Sequence, residues 1–88
     1  MTHYYLQFMA FKPSGKHYSS ARHEIGEFDG YPAGEFRLKE NCLREDLDKA
    51  CGLATGTVEA CDFTVVAMAM DDTDDPITMS RVVRHSGR

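Results

Sequence analysis

Cysteine and histidine are the residue types in this chain that could bind a transition metal. The three cysteines are spaced nine and ten residues apart, at Cys42, Cys51 and Cys61, whereas zinc ligands usually come as closely spaced pairs. On one strand His17 and His23 would stand about 20 Å apart, because a strand rises about 3.3 Å per residue. His3 and His23 are expected to be diagonal neighbours across a hairpin, which gives two ligands at best. We therefore predict no metal site and no cofactor.

A cysteine nucleophile is the second chemistry that the residue types allow, with Cys42 as the candidate. If a helix begins at Asn41, Cys42 lies in its first turn, where a thiol becomes more nucleophilic. The carboxylates of Glu40, Glu45 and Asp46 oppose that effect, because they disfavour another negative charge nearby. We therefore assign no catalytic residue and predict no enzymatic activity, with a small cysteine-dependent enzyme as an alternative.

The densest charge cluster is the run of five residues from Asp71 to Asp75, which contains four aspartates. Carboxylates are the ligands that calcium prefers, but the run lacks the glycine and the distal glutamate of a calcium-binding EF-hand loop. Aspartates are common at solvated turns. The cluster therefore predicts an exposed acidic turn between two strands.

Charge is sorted along the chain. All 14 acidic residues lie between Glu24 and Asp75, and the charged residues on either side of this segment are all basic. The three segments have net charges of +3, −10 and +3, which give −4 for the whole chain. Because opposite charges attract a partner from beyond contact range, this pattern favours binding as the function.

The leading hypothesis is a small acidic protein-binding module. It would occupy a basic, nucleic-acid-binding surface of a partner protein as an inhibitor or adaptor, as small phage and mobile-element proteins often do. The candidate residues lie on a predicted helix and on the acidic turn: Glu40, Glu45, Asp46 and Asp48, with Asp71, Asp72, Asp74 and Asp75. A homodimer is also expected if the first or the last strand forms an exposed edge.

Single-stranded nucleic-acid binding is the alternative. Aromatic and basic residues are interleaved in the N-terminal hairpin, as they are on surfaces that stack bases, and the candidates are Tyr5, Lys12, Lys16, Tyr18 and Arg22. A tail with Arg81, Arg84 and Arg88 would add to this surface. The sequence pI of about 5.4 argues against it, because proteins that bind phosphate backbones are usually basic.

These residues must be positioned by a sheet, and its first part is a predicted hairpin. Tyr4–Phe11 and Lys16–Ile25 are strand-like, and Pro13 and Gly15 between them suit a turn. The predicted pairs are Ala10 with Tyr18, Phe8 with Ser20, Leu6 with Arg22 and Tyr5 with His23. Alternation then places Tyr4, Leu6, Phe8 and Ala10 on the face that packs in the core.

The middle of the chain predicts a loop and one helix. Residues 26–34 hold three glycines and a proline, which favours a surface loop, and Glu35–Lys39 is expected to pair briefly as a strand. Apolar residues at helical spacing then predict a helix that starts at Asn41 and stops at Gly52.

Two further strands complete the predicted fold. Cys61–Met70 is apolar on both faces and is placed centrally in the sheet. Ile77–Val83 is predicted as the last strand, with Ile77, Met79 and Val83 facing inward, and a helix over residues 77–84 is the alternative. The result is a single α+β domain over residues 1–88, a mainly antiparallel β-β-α-β-β sheet with one amphipathic helix on one face.

The expected location is the cytoplasm. The N-terminus lacks the pattern of a signal peptide. The longest apolar stretch, Val65–Met70, is far shorter than the roughly 20 residues that a membrane span needs. Three cysteines without a disulfide pattern fit a reducing compartment.

Overall fold

A long β-hairpin begins the chain. In the computed structural model, which describes residues 1–60 and 63–85, β1 spans Thr2–Phe11 and β2 spans His17–Phe28. The amide of Gly15 donates to the carbonyl of Lys12 at 2.8 Å. Gly15 has a φ of 89°, a left-handed conformation that glycine adopts without steric strain. The predicted hairpin and its turn are therefore confirmed.

The observed register of the hairpin differs from the predicted one by a single residue. The observed pairs are Ala10 with Ser19, Phe8 with Ala21, Leu6 with His23 and Tyr5 with Glu24. The cause is an irregularity beside the turn, where Phe11 pairs with His17 and leaves Tyr18 as an extra residue on β2. A shift of one residue reverses the side to which a strand's side chains point, so Arg22 opposes Gln7 instead of a core residue.

Among residues 1–60 and 63–85 the helical layer consists of three helices, where one was predicted. They are α1 at Ala33–Arg44, α2 at Leu47–Ala50 and α3 at Thr57–Ala60. Because β2 runs on to Phe28, the loop before α1 is only residues 29–32 and not residues 26–34. None of the helices within residues 1–60 and 63–85 is long and apolar enough to cross a membrane.

The predicted strand over Glu35–Lys39 is wrong, because this segment lies inside α1. Asn41 also lies within α1 and does not cap a helix. Phe36 explains the difference: its side chain is 5% exposed and meets the Tyr4 ring edge-on, with the ring centroids 6.0 Å apart. Contact with the sheet therefore stabilises a helix that the local pattern does not predict.

The chain turns sharply between α1 and α2. Asp46 accepts a hydrogen bond from the amide of Lys49 at 3.2 Å and so caps the start of α2. Beyond α2, Gly52 has a φ of 72°, which suits the residue that follows a helix end. The predicted stop at Gly52 is thus confirmed, although the helix that it ends begins at Leu47.

The last two strands are β3 at Phe63–Met70 and β4 at Pro76–His85. The strand interpretation of residues 77–84 is therefore right and the helix alternative is wrong, whereas Cys61 lies outside the described residues. All neighbouring strands are antiparallel, in the order β2-β1-β3-β4. This confirms the predicted fold class and the central place of β3. It also corrects the suggestion that the first strand is an edge, because the edges are β2 and β4.

The inward-facing residues of β4 differ from the prediction. Met79 pairs with Met68, whose side chain points away from the helices, and Met79 and Ile77 are 61% and 40% exposed. Val82 packs against the core instead. The predicted inward side chain of Val83 lies outside the part of the chain whose side chains are described.

Apolar side chains gather on both faces of the sheet. The main core lies under the helices, and its residues are Tyr4, Leu6, Phe8, Ala10, Phe36, Ala50, Cys51, Val65, Ala67 and Ala69. We call the opposite side the open face. There Tyr5, Met68 and Met70 form a second buried cluster, with Met9 and Val66 packed against it.

Candidate functional site

The sheet carries negative charge at one end. Tyr5 pairs with Glu24 on one side and with Met70 on the other, so the turn after Met70 lies at the same end as the last residues of β2. Seven acidic residues lie at this end, which we call the acid end: Glu24, Glu27, Asp29, Asp71, Asp72, Asp74 and Asp75. Arg22 and His3 accompany them.

Positive charge lies at the opposite end of the sheet. Phe11 pairs with His17 and with Thr64, which in turn pairs with Arg84, so the β1–β2 turn and the last residues of β4 share one end. We call it the basic end, and it holds Lys12, Lys16, His17 and Arg84. Six residues of β1 separate the two ends, which corresponds to roughly 20 Å. The sheet is thus electrically polar along its strands.

The acidic turn is a closed structure held by its own hydrogen bonds. The amide of Asp74 donates to the carbonyl of Asp71 at 3.1 Å, and Asp74 has a φ of 65°, which aspartate tolerates better than most residues. The Thr73 hydroxyl donates to the Asp71 carboxylate at 2.6 Å, and the Thr73 amide does so at 3.0 Å. These two hydrogen bonds lower the pKa of Asp71, with the hydroxyl bond the larger cause. The predicted acidic turn between two strands is confirmed.

Contacts with the hairpin hold this turn over the open face. Tyr5 donates a hydrogen bond from its hydroxyl to Asp74 at 2.5 Å, and Arg22 lies 3.7 Å from the same oxygen. The guanidinium of Arg22 also stands 4.4 Å from the centroid of the Tyr5 ring. Burial raises the pKa of Tyr5, and the hydrogen bond to Asp74 raises it further. The Asp74 carboxylate therefore has a hydrogen-bond donor and a cation beside it, and these contacts fix the turn in position.

The helical candidate residues do not join the acid end. Glu40 pairs with Arg44 at 2.9 Å, and Asp46 caps α2. Asp48 accepts hydrogen bonds from the amides of Val58 and Gly56, at 2.7 and 2.9 Å. Its carboxylate therefore holds the segment before β3 in place. The helices pack on the face opposite the one that the acidic turn contacts. The eight predicted partner-binding residues are thus split into two groups.

Four basic residues lie among the helical acids, at Arg37, Lys39, Arg44 and Lys49. By contrast, the acidic turn contains no basic residue. Acidic and basic residues are therefore separated in the sheet and its turns, whereas they are mixed in the helices. Sequence reasoning missed Glu24, Glu27 and Asp29 as members of the acid end. The length of β2 would have revealed them, because a strand running to Phe28 places these acids beside the last turn.

The five residues of the nucleic-acid alternative also fall into two groups. Tyr5 and Arg22 are close together near the acid end, and only 6% of Tyr5 is exposed. Lys12, Lys16 and Tyr18 lie around the basic end, where the Lys12 ammonium stands 5.0 Å from the Tyr18 ring centroid. Tyr18 packs on the buried Phe63, with ring centroids 4.7 Å apart. The two groups do not form one stacking surface.

The position of Cys42 differs from the expected one. It lies near the C-terminal end of α1 and not in the first turn of a helix, so the helix terminus does not activate it. Cys42 is exposed, and its surroundings include Glu24, Glu35 and Lys39 but no imidazole among the described residues. Burial raises the pKa of Cys51 to about 11, which keeps this thiol protonated. The predicted placement of Cys42 in the first turn of a helix is therefore wrong.

Within the part of the chain that the structure describes, no three His, Cys, Asp or Glu side chains converge as metal ligands would. The expected proximity of His3 and His23 is wrong. His3 lies 3.2 Å from Glu24, whereas a ring nitrogen of His23 donates to the carbonyl of Ala50 at 2.7 Å beneath the helices. Their positions on opposite faces follow from the corrected register.

Comparisons with protein-family models, with curated proteins and with solved structures find no match to this chain.

Proposed function

We propose that this protein is a small acidic protein-binding module whose acid end docks on a basic, nucleic-acid-binding surface of a partner protein. The observation that supports the proposal is the charge polarity of the sheet. Seven carboxylates gather at one end, while the lysines of the first turn lie at the other.

Polarity of this kind favours oriented docking. A group of like charges produces a field that steers an oppositely charged partner before contact, and fixed positions reduce the entropy lost on binding. Asp71 and Asp74 are held by the hydrogen bonds within the turn and to Tyr5. Asp72 and Asp75 are exposed beside them. In this proposal the first pair shapes the surface and the second pair meets the partner's cations.

The test uses two variants with the same change in net charge. The acid-end variant combines Glu27→Gln, Asp72→Asn and Asp75→Asn. The helix variant combines Glu35→Gln, Glu45→Gln and Glu59→Gln, which are also exposed. Each variant and the unmodified chain are immobilised and incubated with lysate of the native host at about 50 mM and about 300 mM salt, which changes the screening length substantially. Retained proteins are quantified by mass spectrometry.

We expect the unmodified chain and the helix variant to retain a basic nucleic-acid-binding protein at low salt. The acid-end variant should retain it about tenfold less, since it lacks three of the charges that steer and bind. The purified partner should then release a fluorescent oligonucleotide when this protein is added. Equal retention by both variants, or no release of the oligonucleotide, contradicts the proposal. Retention of nucleic acid itself by the basic end would instead favour the nucleic-acid alternative.

A further inference from the structure

The open face exposes apolar side chains along its edge strand β4, next to the buried cluster of Tyr5, Met68 and Met70. Met68 pairs with Met79 of the edge strand, and Met9 pairs with Val66. Met79 is 61% exposed, and Ile77 beside it on β4 is 40% exposed. Methionine side chains are flexible and polarisable, so they adapt readily to an apolar partner. Ile77 and Met79 lie two residues apart on the same side of β4, and neighbouring exposed apolar side chains of this kind can mark an interaction site.

The edge strand β4 is poorly suited to main-chain hydrogen bonding with a strand of another chain. Pro76 has no amide hydrogen to donate, and the register of β4 shifts between the partners of Ala69 and Met70 and again between those of Thr64 and Val66. Arg81 places a charge in the short stretch of β4 that is regularly paired between these two shifts. Proline, bulges and charge are the features by which edge strands avoid pairing with other strands. An association should therefore use the face of the sheet.

We propose that two copies of this chain pack open face against open face, with their strands antiparallel. Charge selects this partner and this orientation. In an antiparallel pair the acid end of each copy lies over the basic end of the other, whereas a parallel pair would place like charges together. A two-fold axis forms both contacts at once, as in most homodimers.

The size of the face limits the area that two copies can bury. Four strands about 4.8 Å apart and about seven residues long cover roughly 19 by 23 Å, which is on the order of 400 Å² for each copy. Stable interfaces bury about 800 Å² per partner. The open face is about half of that area, so we expect a weak association and test it across the micromolar range.

Sedimentation velocity tests the dimer. The mass should rise from 9.9 kDa towards twice that value across the micromolar range. Met79→Glu should weaken the association by about tenfold or more, because it places a charge in the contact. Leu38→Glu is the matched control, since Leu38 is 68% exposed on α1 and lies on the other side of the molecule. Circular dichroism confirms that both variants fold.

A carboxylate–amine cross-linker that adds no spacer tests the orientation. It should join Asp72 or Asp75 of one copy to Lys12 or Lys16 of the other. These groups lie at opposite ends of one copy, roughly 20 Å apart, and cannot be joined within it. A mixture of light and isotopically heavy protein identifies the links between copies by mass spectrometry.

A monomer at every concentration overturns the proposal, as does a dimer that Met79→Glu leaves intact or one without these cross-links. The inference goes beyond the proposed function, and the two fail separately. The Met79→Glu variant keeps all the carboxylates of the acid end and should still retain the basic partner from lysate. If it dissociates but retains that partner, only self-association depends on the open face.

Discussion

The hydroxyl of Tyr5 donates to the carboxylate of Asp74, a residue 69 positions later in the chain. This contact joins the first strand to the last turn across the open face. It orders the aspartates on which the proposed docking surface depends, and it buries the Tyr5 ring beside Met68 and Met70.

Tyr5→Phe should lower the free energy of unfolding by about 1 to 2 kcal/mol. The substitution keeps the ring but removes a hydrogen bond to a charged group. Tyr4→Phe is the matched control, because Tyr4 is similarly buried at 7% exposure and no hydrogen bond of its hydroxyl is present among the described residues. Its effect should stay below about 0.5 kcal/mol. Guanidinium unfolding followed by circular dichroism measures both, and equal losses in the two variants would contradict the role of Asp74.

The same contact predicts a loss of stability at high pH. Burial and Asp74 raise the pKa of Tyr5 above its ordinary value of 10.0, so the folded chain keeps a proton that the unfolded chain has lost. The contribution of Tyr5 to the free energy of unfolding is fully present below pH 10, which is its ordinary pKa. This contribution decreases as the pH rises through the higher pKa that Tyr5 has in the folded chain. Titration of phenolate absorbance should show a late step that is absent in Tyr5→Phe. If the late step persists in that variant, the assignment to Tyr5 is wrong.

Asp48→Asn should destabilise the protein by about 1.5 to 3 kcal/mol. The carboxylate accepts two backbone amides, from Gly56 and Val58, and bonds to a charged acceptor are stronger than neutral ones. An asparagine side chain has one acceptor oxygen, so it can replace only one of the two carboxylate oxygens that accept these hydrogen bonds. Hydrogen exchange at these two amides should become about tenfold faster or more. Glu45→Gln is the control and should change stability by less than about 0.5 kcal/mol, since this exposed side chain makes no hydrogen bond or ion pair within the described chain. A smaller loss in Asp48→Asn than in this control would show that Asp48 is only a surface charge.

Cysteine alkylation should distinguish Cys42 from Cys51. Cys42 is exposed, whereas Cys51 is fully buried and has its pKa raised to about 11. Near pH 8 we expect Cys51 to react about a hundredfold more slowly, because the thiolate is the reacting form and burial blocks access. Peptide mass spectrometry after iodoacetamide treatment gives the two rates, and unfolding should make them similar. Similar rates in the folded protein would mean that Cys51 is not buried in the main core.

Local sequence patterns determined the sheet to a large extent. The turn around Gly15 and the alternation of Tyr4, Leu6, Phe8 and Ala10 depend on residues close together in the chain, and both are confirmed. The apolar run that became β3 also predicted its own central position. Such features follow from steric preferences and from the two-residue period of a strand, which need no knowledge of distant contacts.

Tertiary structure decided the rest. α1 forms where Phe36 packs against Tyr4, and the extra residue at Tyr18 sets which side of β2 is buried. The acid end exists only because β1 pairs with both β2 and β3, which brings Glu24 and the last turn together. The sequence by itself determined that the acids lie in the middle of the chain. Their separation from the lysines depends on long-range strand pairing, which the burial of side chains from the whole molecule selects.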